Sequence, residues 1–283
     1  MKKTLVAFGT LAVALGAALA QDSQPFGECP LAHANPKESP AKVPFGDKKK
    51  MEEFQGLDGT SKAKVEIDWP KEDETIAEGK GEIKFKVDGY EIGKDPKGNF
   101  QHCHVILDNK PYFAAYGAGG VKLEAVWSGN ADKPEDVPEG THILTIFPAR
   151  NFHLSVKNEG ACAQVRFNVK AKKGTVPSPK DPQLIYSRPK AAYDSALSEN
   201  KAIMLDFYLL NVKLAPDGDR VHAAVTKDGK EVGKPLTITE WWPQIILKDA
   251  EKGDYEVTIE LQDKDGKPVA GPFNKTTRKI SVK

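Results

Sequence analysis

The chain repeats itself, and the repeated unit is written in period-two alternation. In Glu82-Ile83-Lys84-Phe85-Lys86-Val87 the apolar residues fall on one side and the charges on the other, the signature of a half-buried strand. Cys103 to Leu107, Thr141 to Phe147 and Gln164 to Val169 read the same way, with turn chemistry between them at Asp95-Pro96-Lys97-Gly98, Asp108-Asn109, Gly117 to Gly120 and Pro138-Glu139-Gly140. No amphipathic helix is evident. Ile83, Phe85, Val87 and Ile92 sit 120 residues before Ile203, Leu205, Phe207 and Val212. On that offset His102 falls on His222. Further on, Gly140-Thr141-His142-Ile143 matches Gly253-Asp254-Tyr255-Glu256, and Phe167 and Val169 match Ile280 and Val282. Self-similarity of this kind marks duplicated structural units.

Each unit has about a hundred residues and about seven short strands, which fits an immunoglobulin-like sandwich. The expected fold is therefore all-β: two tandem immunoglobulin-like β-sandwich domains. Gly253-Asp254-Tyr255-Glu256-Val257 resembles the tyrosine corner of such folds. His142 occupies the same place in the first copy, so it is expected to bond local backbone rather than a ligand.

The flanking segments have a different character. Lys2 and Lys3, the uncharged run Leu5 to Leu15, and Ala18-Leu19-Ala20 have the layout of a signal peptide cleaved after Ala20. Residues 21–60 are punctuated by Pro25, Pro30, Pro36, Pro40 and Pro44 and read as a flexible Pro-rich tether. Residues 172–182 form a Gly/Pro/Ser-rich linker between a first sandwich at 61–171 and a second at 183–283. The expected location is the periplasm or the extracellular space, with no integral membrane segment after cleavage.

Of 41 basic residues two lie in the leader, leaving 39 against 40 acidic ones. Interspersed charge near neutrality gives no electrostatic basis for nucleic-acid binding. Cys29, Cys103 and Cys162 fit no zinc ribbon or redox pair, and an odd count leaves a thiol over. Cys103 reads as a core residue, a Cys103–Cys162 bridge conflicts with strand parity, and Cys29 with Cys162 stays open.

A duplicated unit supplies its own control. On the second copy's later strand Tyr255, Val257 and Ile259 point inward, leaving Glu256, Thr258 and Glu260 as an ordinary wet face. The matching positions of the first copy are Ile143, Thr145 and Phe147. On the neighbouring strand Cys103, Val105 and Leu107 point inward, so His102, His104 and Ile106 point outward. An apolar face bearing two imidazoles either binds something or packs against another domain. Arg150 and His153, in the turn after the later strand, are expected close to it. Ile106, Ile143, Phe147 and Arg150 are thus the candidate ligand or partner face.

His102-x-His104 places two imidazoles about 7 Å apart on one side of a strand, within reach of one ion. Zn or Cu(II) suits imidazole, and His153 is the candidate third ligand. With Met1, Met51 and Met204 the only methionines, a Met-rich copper(I) site is not indicated. No nucleophile or phosphate loop has a recognisable setting, so no catalytic residue is assigned.

Gln101 to Asn109, Gly140-Thr141-His142-Ile143-Leu144 and Phe147-Pro148-Ala149-Arg150 resemble a family of uncharacterised exported bacterial proteins with tandem immunoglobulin-like domains, an H-x-H strand, a G-T-H turn and an F-P-x-R motif. The resemblance spans both domains and includes Met204 to Leu209. Phe152-His153-Leu154-Ser155 stands where that family has Trp-His-Glu-Ser, so an acidic neighbour of His153 is missing. What the resemblance implies is the fold and the same residues, without a ligand. The leading expectation is an exported non-enzymatic binding or accessory protein that takes a divalent metal, Zn or Cu(II), or another small ligand on the outer face of domain one, with a periplasmic protein as an alternative partner. A second expectation is a structural or protein-interaction module whose apolar face packs on domain two or a partner. A metal-dependent enzyme ranks third.

Overall fold

The computed structural model describes residues 52, 55, 56, 59, 61–94, 100–117, 120–150, 153–193, 202–241 and 244–283. The leader, most of the tether, Cys29 and His33 lie outside these residues.

The first unit runs β1 (Lys64–Trp69), β2 (Thr75–Ile76), β3 (Glu82–Asp88), β4 (Gly93–Lys94), β5 (Phe100–Leu107), β6 (Phe113–Ala115), β7 (Val121–Lys122), a short helix α1 (Leu123–Ser128), β8 (Gly140–Ala149) and β9 (Ala163–Val169). The helix is a correction to the all-strand reading: at six residues it is too short to show a periodic pattern in sequence. β1-β3-β7 form one sheet, and β2-β9-β8-β5-β4, with β6 on β5, form the other. Between them lies a core that includes Val65, Ile83, Phe85, Cys103, Val105, Leu107, Leu144, Ile146 and Phe167.

The second unit repeats the plan through β10 (Gln183–Arg188), β11 (Ala191–Tyr193), β12 (Ala202–Leu210), β13 (Arg220–Lys227), β14 (Lys230–Glu231), β15 (Leu236–Ile238), β16 (Gln244–Lys248), β17 (Gly253–Gln262) and β18 (Lys275–Val282). β10-β12-β16 face β11-β18-β17-β13-β14, with β15 also paired to β13. In both units a bulged first strand ends at a cis X-Pro bond, Trp69-Pro70 and Arg188-Pro189, and the next short strand joins the opposite sheet in parallel. The chain is thus all-β, built as two immunoglobulin-like sandwiches.

Both corners close locally. The Tyr255 hydroxyl donates to the Glu251 carbonyl at 2.7 Å. His142 Nε2 lies 2.9 Å from the Pro138 carbonyl, likewise four residues upstream, while its Nδ1 meets Asp108 Oδ2 at 2.6 Å. One detail of the repeat alignment is corrected. His222 pairs with Glu260 on β17, whereas it is His104, not His102, that pairs with Phe147, the match of Glu260, on β8. The slip is two residues, so every side chain keeps its face.

The two sandwiches are stacked. The second unit's three-stranded sheet lies against the outer face of β5-β8-β9, and every residue of β8, β9 and β10 is buried. Ile106, Ile143 and Phe147 join one apolar cluster with residues of β10 and β12, and the Phe147 and Tyr208 rings lie 4.7 Å apart. Polar groups pin the contact. Gln164 Nε2 donates to Gln183 Oε1 (3.1 Å), the Tyr186 N–H to Asn109 Oδ1 (2.8 Å), and the Arg278 guanidinium to the carbonyls of Asn109, Lys110, Tyr186 and Ser187. Lys157 Nζ and Asp206 Oδ1 form an ion pair at 2.8 Å, both side chains 1% exposed. Gln55, assigned from sequence to the tether, is buried here, and its carbonyl accepts the Lys157 N–H.

Candidate metal centre

β5 lies flat against β8 for six paired residues, from His102↔Ala149 to Leu107↔Leu144. Strand alternation sends Cys103, Val105 and Leu107 into the first core and His102, His104 and Ile106 to the opposite side. His102 and His104 are fully buried there. His153 comes from the turn after β8, which closes with its own N–H on the Arg150 carbonyl at 2.8 Å. Its φ of +65° is left-handed, a conformation uncommon outside glycine, and its ring meets both of the others.

Each of the three rings brings one nitrogen into a single cluster. His102 Nε2 lies 2.8 Å from His153 Nδ1 and 3.2 Å from His104 Nε2, and the ligand atoms of all three lie within 4.8 Å of one another. A tetrahedral ion with bonds of about 2.0–2.1 Å needs nitrogens about 3.3 Å apart; the two separations from His102 lie within about half an ångström of that, and the His104–His153 separation is bounded by the 4.8 Å span of the cluster. Among the described residues no carboxylate or thiol joins the group. Tyr112 stacks on His104 with centroids 3.6 Å apart, and its hydroxyl lies 3.1 Å from His153 Nδ1. Tyr116, 52% exposed, covers His102 from the solvent side at 5.1 Å.

The second sandwich also takes part. Ser187 Oγ on β10 lies 2.9 Å from His104 Nδ1. When Nδ1 donates to Ser187, His104 Nε2 turns a lone pair toward the cluster, the way outer-shell partners orient metal-binding histidines. His104 Nε2 can then accept from His102 Nε2 at 3.2 Å. Burial, then the charges of His102, His153, Lys190 and Arg188, hold His104 well below the ordinary imidazole pKa. Burial, with His102, Arg188 and Lys190, lowers His153 to about 3. Both rings are therefore neutral at physiological pH, the form that ligates metal.

The remaining predicted positions separate. Ile106, Ile143 and Phe147 share the histidines' side of the sheet but are 0%, 1% and 0% exposed, because the second sandwich covers them. They are therefore an interdomain contact, not a surface open to a ligand. Arg150 is held elsewhere, donating to Gln101 Oε1 at 3.1 Å and lying over the Tyr90 ring. Asp108 caps the corner, its Oδ1 accepting the Ile143 N–H. Cys103 is a free, buried thiol, whereas Cys162 is disulfide-bonded. Tyr112, Ser187, Lys157 and Asp206 were not singled out from sequence. The available signal was the run Ile203-Met204-Leu205-Asp206-Phe207-Tyr208-Leu209-Leu210, apolar on both faces around one acid, as a strand covered on both sides should be.

No protein-family model matches the chain, and no curated protein does. Among solved structures, the chain is similar to the fibronectin(III)-like modules of Clostridium thermocellum CbhA, at 15% identity over 77% of this chain and 94% of that one, with a TM-score of 0.26. It is similar to the chicken interferon gamma receptor alpha chain, at 12% identity over 78% and 97% and a TM-score of 0.24. A third similarity is to the Bacteroides ovatus mixed-linkage glucan utilization locus protein SGBP-B in complex with a mixed-linkage heptasaccharide, at 11% identity over 79% and 71%, with a TM-score of 0.24. These likenesses are ones of fold alone.

Proposed function

We propose that this is an exported, non-enzymatic binding or accessory protein whose first sandwich holds a divalent transition metal, Zn or Cu(II), through His102, His104 and His153. The convergence of three imidazole nitrogens within 4.8 Å carries this reading. Two of the three imidazoles are fully buried and one is half-buried, and each offers one nitrogen to the cluster; imidazole suits both ions. Export rests on the N-terminal pattern of Lys2, Lys3, the apolar run and Ala18-Leu19-Ala20. No helix among the described residues is long and apolar enough to cross a membrane.

Elemental analysis and titration calorimetry of the mature protein test the proposal. One zinc or copper per chain is expected, with uptake lost in His104→Ala and retained in His222→Ala, which changes a histidine on the wet face of the second sandwich. A wild-type protein that takes up neither metal refutes it. The structural alternative is favoured by one observation, the burial of Ile106, Ile143 and Phe147 against the second sandwich. In that reading the histidines are polar lining of the domain contact, and the same titration separates the two.

A further inference from the structure

Three protein nitrogens leave a four-coordinate ion one ligand short, and what surrounds that fourth position sets what it takes. Among the described residues no Asp, Glu or Cys joins the cluster, so an ion there keeps its positive charge uncompensated. Two cations add to it: Lys190, whose Nζ lies 3.8 Å from the Tyr112 ring centroid, and Arg188 both act on His104 and His153. A site of this charge prefers an anion to a neutral fourth ligand.

The Tyr112 hydroxyl is already in place to meet one. The ring is clasped between the His104 imidazole at 3.6 Å on one face and the Lys190 ammonium, 3.8 Å from the ring centroid, on the other. That contact fixes the direction of the hydroxyl, 3.1 Å from His153 Nδ1. Once an ion takes the His153 lone pair, the phenol loses this acceptor and its proton points at the coordination shell. Tyr112 is 4% exposed, and a buried donor needs a new partner. The approach lies on the side of half-buried His153 and exposed Tyr116.

Resting on the metal reading above, we propose that the ion held by His102, His104 and His153 keeps one position open for a small exogenous anion, and that the Tyr112 hydroxyl donates a hydrogen bond to the bound anion. The anion displaces a water from the ion, and no electron transfer is involved. Tyr112 contributes specificity for an acceptor atom at that vertex.

Azide is the probe. Wild type and Tyr112→Phe, each saturated with Cu(II) and checked for one copper per chain, are titrated with azide while the azide-to-copper charge-transfer absorption is followed. A saturable band in wild type, with azide affinity about tenfold weaker in Tyr112→Phe, is expected from the loss of a hydrogen bond to a charged group. Bound copper that gives no azide-dependent band overturns the open position, whether another part of the chain or tight water fills it. Superimposable titrations overturn the role of Tyr112. Failure of wild type to take up copper at all ends the underlying metal reading instead, so the two failures are told apart by the copper content.

Discussion

The two sandwiches use equivalent sheet faces in opposite ways. On the second, β13 and β17 alternate buried and accessible residues, with Glu256, Thr258 and Glu260 at least partly in solvent. On the first, β8 shows no alternation because the second sandwich lies on it. Phe147 stands where Glu260 stands, each paired across to a histidine, His104 and His222. Glu260 meets Lys275 in an ion pair at 2.9 Å with the lysine 67% and the glutamate 12% exposed, whereas Lys157 and Asp206 meet at 2.8 Å with 1% exposure each. The same strand geometry thus yields a solvated surface in one copy and a second core in the other. The difference shows that burial is decided by what covers a face, while parity decides only which residues share it.

The strongest way to break this comparison is to write the second copy's residue into the first. Phe147→Glu removes a fully buried aromatic ring and places a carboxylate in the apolar contact. We expect a loss of at least about 4 kcal/mol and separation of the domains. A larger radius of gyration in solution scattering and faster proteolysis in residues 172–182 would report it. An unchanged scattering profile at wild-type stability would mean that the contact does not hold the domains together.

The ion pairs sharpen the contrast next. Asp206→Ala strands the Lys157 ammonium in the interface, and urea unfolding should show a loss of about 3–5 kcal/mol. Glu260→Ala opens a screened surface pair and should cost less than about 1 kcal/mol. Comparable losses would erase the distinction between covered and wet faces.

The smallest effect is expected at the corners. Burial lowers the His142 pKa, but hydrogen bonding and charge from Asp108, with the Pro138 carbonyl, outweigh it and leave the value above its ordinary 6.5. A pKa raised in the folded state contributes stability that is complete below the unfolded value. That contribution is lost as pH rises through the folded value. The stability gap between wild type and His142→Gln in urea unfolding should therefore narrow as pH climbs above about 6.5, while His104 and His153, whose pKa values are lowered, act alike in both proteins and cancel from the difference. A gap that does not change with pH would mean the imidazole stays neutral in the fold.

Much of the fold was legible from particular residues. Ile83, Phe85 and Val87 gave strand parity, the repeat gave two sandwiches, and Tyr255 with His142 gave the corners, because each depends on local spacing alone. His102, His104, Ile106, Ile143 and Phe147 could be placed on one side for the same reason. What covers them could not be read, since the covering residues lie about sixty or more positions away: Ser187 bonds His104, and Tyr208 packs on Phe147. Lys157 and Asp206 looked like ordinary charges among many, and only their burial sets them apart.

By itself, then, the sequence determined the strand alternation, the duplication and which side chains share a face, since backbone pleating assigns these residue by residue. The tertiary structure alone decided that this face is an interdomain contact, that His153 turns back to meet His102 and His104, and that Ser187 from the other domain orients the cluster. Those outcomes depend on the docking of two units distant along the chain, a global balance of apolar burial and buried polar pairing that no local pattern encodes.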